Sequence, residues 1–182
     1  MCGIVGYLTK DKSVSKETIE YMAEQIRHRG PDAKGTWAEP NGRVALAHRR
    51  LSIVDLSDAG AQPMCSPSGT WVISYNGEIY NHRDLRKIID SEGWNIAWRG
   101  HSDTETLVVA IECWGFQPTL DRIRGMFAIA AWHTGDHKLF LVLQFLQLSI
   151  NAQNIYAFQY IHASTNFFLV LVCDPVLVCS FK

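Results

Sequence analysis

The stretch Met1-Cys2-Gly3-Ile4-Val5-Gly6-Tyr7-Leu8-Thr9 opens the sequence and bears most directly on its fold. Its brief apolar run before Lys10 predicts a buried β-strand. Cys2 directly follows Met1, and a second residue this small favours removal of the methionine. The thiol of Cys2 would then share a residue with the free α-amino group of the chain, whose pKa lies near ~8. Such an amine can act as general base for the thiol near neutral pH.

Beyond this strand, apolar spacing and turn residues predict a mixture of helices and strands up to about Leu141. Ile19, Met22, Ala23 and Ile26 fall on one face of a helix that ends near His28, before Gly30-Pro31. We also expect a helix at residues 84–92 capped by Gly93, and one after the capping-box signature Ser102-x-x-Glu105 that runs to Trp114. Further strands are expected at residues 44–47, 71–75, 126–132 and 138–143, the last two joined by a hairpin.

Composition restricts the class of protein. The chain has 182 residues, 47% apolar and 19% charged, with a net charge of −1, which is typical of one soluble globular domain. This balance disfavours nucleic-acid and membrane-surface partners. There is no secretory signal pattern, and the run Phe167–Cys173 is too short to cross a bilayer. Five cysteines without a CxxC pair or a zinc-like cluster predict free thiols, no metal and a cytoplasmic location.

Six motifs, in one order along residues 1–141, resemble the class II glutamine amidotransferase family, and within it the asparagine synthetase (glutamine-hydrolysing) branch. They are MCGIVG (1–6), RHRGPD (27–32), RLSIVD (50–55), NGEIYN (76–81), GHSDTE (100–105) and RGMFA (124–128). The resemblance implies an α+β, N-terminal-nucleophile fold, a four-layer αββα sandwich of two antiparallel sheets. It also implies hydrolysis of L-glutamine to glutamate and ammonia through a Cys2 thioester. Without it, the better interpretation of Cys2 is an apolar strand residue.

The resemblance assigns roles that make chemical sense. Arg50 would hold the α-carboxylate of glutamine, because a planar guanidinium pairs with two oxygens. Asp103 would bind the α-ammonium, with Glu78 helping to orient it, and the Asn76 amide and Gly77 N–H would form an oxyanion hole. The remaining expected residues of the glutamine pocket are Leu51, Ser52, Ile53 and Val54. His28 and Arg29 would support a nearby loop, with His28 ordering that loop rather than acting as a base.

Plainer interpretations stay open for three of these assignments. Arg50 could be a solvated surface arginine. Asp103 could be a first-turn carboxylate that complements the helix dipole, a role compatible with ligand binding. Asn76-Gly77 could form a hairpin turn. The acceptor of the ammonia is open as well, since a relative that amidates a sugar acid or a peptide, or an inactive glutamine-binding remnant, shares these motifs.

The sequence changes character after about Leu141. Residues 142–182 contain no glycine, and their only charged residues are Asp174 and Lys182. We interpret them as a divergent apolar tail of uncertain structure, with the final strands of the family missing or replaced and the sheet edges left unpaired. No Ser-Gly-Gly-x-Asp-Ser pyrophosphate loop occurs, so the ATP-dependent synthetase domain is expected to be absent. Glutamine hydrolysis itself is expected to need no cofactor, because ATP and Mg belong to the full-length family. The expected protein partner is a second copy of the chain, in a homodimer, or a separate synthetase.

Overall fold

A computed structural model describes residues 2–9, 15–40, 42–51, 58–144, 157–162, 167–172 and 177–181. Within them the α-helices are α1 Lys16–Gln25, α2 His82–Ser91, α3 Asp103–Trp114 and α4 Phe116–Leu120, with 3-10 turns at Arg27–Arg29 and Asp58–Gly60. The strands are β1 Gly3–Leu8, β2 Ala33–Ala38, β3 Val44–Arg50, β4 Met64–Cys65, β5 Trp71–Ile79, β6 Gly125–His133, β7 Lys138–Gln144, β8 Ala157–His162, β9 Phe167–Val172 and β10 Leu177–Phe181.

The strands form two antiparallel five-stranded sheets, ordered β10-β9-β1-β3-β2 and β4-β5-β6-β7-β8. Ile4 and Leu46 of the first sheet share a core with Ala130 and Trp132 of the second, so the two sheets pack face to face. The outer face of the first sheet is covered by α1, and that of the second by the other helices. This arrangement confirms the expected αββα sandwich.

Strand β1 shows how sequence alternation places it between two layers. Ile4 and Leu8 point into the core between the sheets, whereas Val5 and Tyr7 pack beneath α1. All six strand residues are buried, as the apolar run at the start of the sequence predicts. The expected helices α1, α2 and α3 and the β6–β7 hairpin are also present.

Strand β5 is longer than expected and passes through Asn76 and Gly77, which pair with Ala128 and Phe127 of β6. The hairpin-turn interpretation of these two residues is therefore wrong. Glycine is required at position 77 because a Cβ there would collide with the backbone of β6 at Met126 and Phe127. Strand β2 was not expected, since its residues are half-buried to exposed and give little apolar signal.

The apolar tail supplies strands to both sheets. Strand β7 runs on to Gln144 and pairs with β8, while β9 pairs with β1 on one side and with β10 on the other. The expectation of unpaired edges at β1 and β7 is therefore wrong. Its physical reason lies in segments such as Phe167–Val172, whose aromatic and branched residues favour strands even where turn signals are missing. In the described part of the chain, no helix is long and apolar enough to cross a membrane.

Candidate functional site

Cys2 lies at the N-terminal end of β1, one residue before the pair formed by Gly3 and Arg49. Continuing that register places Cys2 opposite Arg50, at the end of β3. The half-buried thiol contacts the next residue: the Leu51 N–H donates to Cys2 Sγ over 3.4 Å, and Sγ lies 3.8 Å from the Leu51 carbonyl oxygen. The predicted nucleophile is thus held at a strand end by hydrogen bonds.

Asn76 reaches the same place from the facing sheet. Its side-chain Nδ2 donates to the Cys2 carbonyl oxygen over 2.9 Å, and the residue is 7% exposed. The predicted oxyanion donor and the predicted nucleophile therefore lie in direct contact, although they are 74 residues apart in sequence. Gly77 and Glu78 follow in β5 and are both exposed.

Asp103 is the first residue of α3 and is fixed to the edge of β5. Its Oδ2 accepts a hydrogen bond from the Tyr75 hydroxyl at 2.7 Å and another from the Ile79 N–H at 3.0 Å. These two donors lie on either side of residues 76–78, so the carboxylate sits beside the predicted oxyanion residues. Its place in the first turn also complements the helix dipole, so the two roles expected of Asp103 are compatible.

Arg50 ends β3 with a half-buried side chain. Its guanidinium packs over Gly60, where a Cβ would lie 2.6 Å from Arg50 Nη2. This packing argues against a fully solvated surface arginine. The predicted pocket residues Ser52, Ile53 and Val54 lie outside the described residues.

The segment with His28 and Arg29 packs against the start of β1. A Cβ on Gly3 would lie 2.7 Å from Ile26 Cδ1 and 3.2 Å from Arg29 Cβ, so this glycine permits the close approach. Arg29 is half-buried, whereas the His28 side chain is exposed. Both residues belong to a 3-10 turn beside the nucleophile strand, which is consistent with the supporting role expected of them.

The sequence profile described as the glutamine amidotransferase domain matches residues 1–145. This chain belongs to that family. Asparagine synthetase [glutamine-hydrolyzing] 3 of Bacillus subtilis is 38% identical to this amidotransferase domain over 144 residues, covering 77% of the chain and 22% of the relative. Asparagine synthetase B [glutamine-hydrolyzing] of Escherichia coli is 39% identical over 135 residues, covering 72% and 23%. The chain thus spans about a fifth of the length of these relatives.

A solved structure supports the fold of the amidotransferase domain. Glutamine phosphoribosylpyrophosphate amidotransferase from B. subtilis, complexed with ADP and GMP, superposes with a TM-score of 0.64 at 16% sequence identity. The superposition covers 99% of this chain and 49% of that protein. It therefore relates the folds of the two chains.

Two residues of the amidotransferase domain gain importance that the sequence did not predict. Tyr75, expected only as a strand residue, donates through its hydroxyl to Asp103, and its N–H donates to Gln62 Oε1 over 2.6 Å. Gln62 also donates through Nε2 to Thr104 Oγ1 over 3.3 Å, which ties the start of α3 to the same edge. Tyr75 and Gln62 belong to none of the six motifs, and their partners on α3 are 28 and 42 residues away in sequence.

His48 lies buried between the sheets and donates through Nε2–H to the Tyr75 carbonyl oxygen, 3.1 Å away. Burial lowers its pKa to about 4, with a further lowering from the Arg50 charge, against the opposing effect of the carbonyl. The imidazole is therefore neutral at pH 7, and its single ring proton lies on Nε2, where it is donated to the carbonyl. His48 is thus a buried histidine with a structural role.

The other described thiols differ from Cys2 in their surroundings. Burial raises the pKa of Cys65, although nearby Arg99 opposes this, and burial together with Glu112 and Glu92 raises the pKa of Cys113 to about 11. Both thiols therefore stay protonated at neutral pH, which makes them poor nucleophiles. Among the described residues, no cluster of three or more His, Cys, Asp or Glu side chains could hold a metal ion.

A cavity of about 310 Å³ lies away from the Cys2 site, between β4, the segment before α3 and α3 itself. Cys65, Ile96, Arg99, Glu105 and Val108 are among its lining residues, and none of the residues predicted to bind glutamine is. The chemistry of the Cys2 site, rather than the size of this cavity, identifies the candidate active site.

Proposed function

We propose that this amidotransferase domain hydrolyses L-glutamine to glutamate and ammonia through a thioester on Cys2. One observation carries the proposal above all: Asn76 Nδ2 of the second sheet contacts Cys2 of the first over 2.9 Å. The contact is to the backbone carbonyl of Cys2, so it brings an amide donor to the residue that carries the thiol, and acyl transfer to sulfur needs such a donor nearby. The resemblance of the motifs to the family supports the same chemistry.

The proposed reaction begins once Met1 is removed. The α-amine of Cys2 takes the thiol proton, and the sulfur attacks the side-chain amide carbon of glutamine. Asn76 Nδ2 and the Gly77 N–H stabilise the negative charge on the amide oxygen; the Asn76 amide carries two N–H groups, so one can stay on the Cys2 carbonyl. The C–N bond then breaks and ammonia leaves with the proton from the α-amine. Water finally hydrolyses the thioester to glutamate.

The proposed recognition uses the charges at the two ends of the substrate. Asp103 binds the α-ammonium, assisted by Glu78, and Arg50 binds the α-carboxylate. Leu51 and backbone groups of Ser52, Ile53 and Val54 line the glutamine pocket, and Arg29 with His28 supports the adjoining loop. The position of Asp103 beside residues 76–78, and of Arg50 opposite Cys2, supports these roles.

The ammonia has a proposed fate that depends on protein beyond this domain. The relatives are named asparagine synthetases, and in the full-length family ammonia amidates ATP-activated aspartate, with ATP and Mg bound by the synthetase domain. This chain spans 22% of one such relative, so we propose that it supplies ammonia to a synthetase domain or to a separate partner, in the cytoplasm. The glutaminase step on these residues requires no cofactor.

Ammonia release by wild-type protein and by two cysteine variants tests the proposal. We expect Cys2→Ala to lower glutamine-dependent ammonia release by at least ~10³-fold, because the nucleophile is removed. Cys65→Ala removes a thiol from β4, where Cys65 pairs with Val72 rather than with Asn76, and should keep wild-type activity. A folded wild-type protein that releases no ammonia, or a Cys2→Ala variant that remains active, would instead indicate an inactive glutamine-binding remnant or another nucleophile.

A further inference from the structure

Tyr75 immediately precedes Asn76 in β5 and is only 2% exposed. Each of its polar groups has a partner in another element. The N–H donates to Gln62 Oε1 over 2.6 Å, the carbonyl accepts from His48 Nε2 at 3.1 Å, and the hydroxyl donates to Asp103 Oδ2 over 2.7 Å. Two of these hydrogen bonds hold the backbone of Tyr75, and the third holds its phenol.

The short length of β4 explains why side chains hold this backbone. Strand β4 pairs with β5 only at Met64↔Ile73 and Cys65↔Val72. Continuing that register would place Gln62 opposite Tyr75, and it is the Gln62 side chain that accepts the Tyr75 N–H. His48 from the first sheet bonds the adjacent carbonyl. Side chains therefore satisfy the backbone N–H and C=O of Tyr75 at the point where β4 stops pairing with β5.

Both hydrogen bonds to Asp103 converge on a single oxygen. The Tyr75 hydroxyl and the Ile79 N–H both donate to Oδ2, and no donor among the described residues is hydrogen-bonded to Oδ1. A terminal carboxylate torsion is otherwise broad, so two donors on one oxygen select its orientation. In the described part of the chain, Oδ1 is therefore the carboxylate oxygen that accepts no hydrogen bond.

We propose that Tyr75 is a positioning residue that sets the preference of this site for substrates with an α-ammonium group. It does so by holding Asp103 Oδ2, so that Oδ1 faces the ammonium at a fixed place beside Gly77 and Glu78. The inference rests on the proposed function, in which Asp103 binds the ammonium of glutamine. The Tyr75 hydroxyl is then one of the groups that determine which substrate the site prefers, although Tyr75 itself is buried.

The variant Tyr75→Phe removes only the hydroxyl and keeps the ring in its core. With one of two donors lost from Oδ2, we expect the KM for glutamine to rise about ten-fold while kcat stays within about two-fold, the pattern of lost uniform binding. Tyr21→Phe is the matched control, since that tyrosine is 69% exposed and lies on α1. It should leave both constants at wild-type values.

A substrate without the ammonium separates positioning from general damage. For 4-carbamoylbutanoate, which is glutamine without its α-amino group, Tyr75→Phe should leave kcat/KM unchanged. An equal loss on both substrates, or an unchanged KM for glutamine, would overturn the inference. If wild-type protein hydrolyses neither substrate, the proposed function fails instead, so the two failures are distinguishable.

A second variant keeps the inference testable if Tyr75→Phe does not fold, as judged by thermal unfolding. Asp103→Glu keeps the negative charge but moves it by one methylene away from the Tyr75 and Ile79 donors. If the fixed position of Oδ1 matters, the KM for glutamine should rise about ten-fold or more. A wild-type KM in this variant would show that charge alone suffices, which would contradict the role of Tyr75.

Discussion

The imidazole of His48 lies 1% exposed between the two sheets, where it donates to the Tyr75 carbonyl. Burial lowers its folded pKa from 6.5 to about 4, so between these values the unfolded chain binds a proton that the folded protein does not. The stability present above pH 6.5 is therefore lost as pH falls towards 4. We expect the free energy of unfolding to drop by about 3 kcal/mol across this window from His48 alone.

Urea unfolding at several pH values, compared between wild type and His48→Gln, measures this contribution. The glutamine amide can keep a donor near the position of Nε2 but does not titrate. The variant should therefore lose less stability between pH 6.5 and 4 than wild type does. Parallel pH profiles for the two proteins would contradict the assignment of a neutral, buried imidazole.

At the residue scale, the sequence predicted the groups whose role is encoded in a short motif. Cys2 and Asn76 were named from two separate motifs, and the structure brings them into contact. Tyr75 and Gln62 could not be found in this way. Their importance comes from the register between β4 and β5 and from the Gln62 side chain, which accepts the Tyr75 N–H where β4 no longer pairs with β5. Neither feature leaves a local pattern in the sequence.

At the scale of elements, the start of α3 determines where Asp103 sits. Ser102 is the N-cap, and its side chain accepts the Glu105 N–H at 3.2 Å. Ser102→Ala removes this cap next to Asp103. We expect it to lower the free energy of unfolding by about 1 kcal/mol and to raise the KM for glutamine, because the first helical turn loosens.

Ser15→Ala is the matched control for this prediction. Ser15 caps α1 in the same way, accepting the Thr18 N–H at 3.2 Å, but its helix lies on the outer face of the other sheet. Chemical denaturation should show a comparable loss of stability, with an unchanged KM. If Ser102→Ala also leaves the KM unchanged, the position of Asp103 does not depend on the helix cap.

The capping box itself is only half formed. The Ser102 side chain caps the helix as the sequence predicts, but the Glu105 carboxylate accepts the N–H groups of Arg99 and Gly100, at 2.7 and 3.0 Å. Glu105 also pairs with Arg86 of α2. The capping-box spacing predicts the bond to the Ser102 side chain because both residues lie within one helical turn. The bonds of the Glu105 carboxylate depend on how the segment before α3 is placed against the helix, which the spacing does not determine.

At the scale of the whole molecule, the apolar tail completes the sandwich. Strand β1, which carries Cys2 at its end, lies between β3 and β9, and β7 lies between β6 and β8. Truncation after Gln144 would remove β8, β9 and β10 and expose an edge of each sheet. Because folded domains are stable by only ~5–15 kcal/mol, we expect the truncated chain to lose cooperative unfolding and to aggregate.

Thermal unfolding with light scattering checks this expectation against the full chain. A monomeric truncation that unfolds cooperatively near the wild-type temperature would show that residues 1–144 fold alone. Sequence could not decide this point. The motifs predicted the arrangement of the first 141 residues, whereas the pairing of β9 with β1 joins segments more than 150 residues apart and carries no turn signal.

The most direct measurement is intact mass and peptide mapping after incubation with 6-diazo-5-oxo-L-norleucine, a glutamine analogue that alkylates an active thiol. The account predicts a chain without Met1 that carries a single adduct on Cys2, with glutamine slowing its formation. A folded protein that keeps Met1, leaves Cys2 unmodified or reacts instead at Cys65 would contradict it.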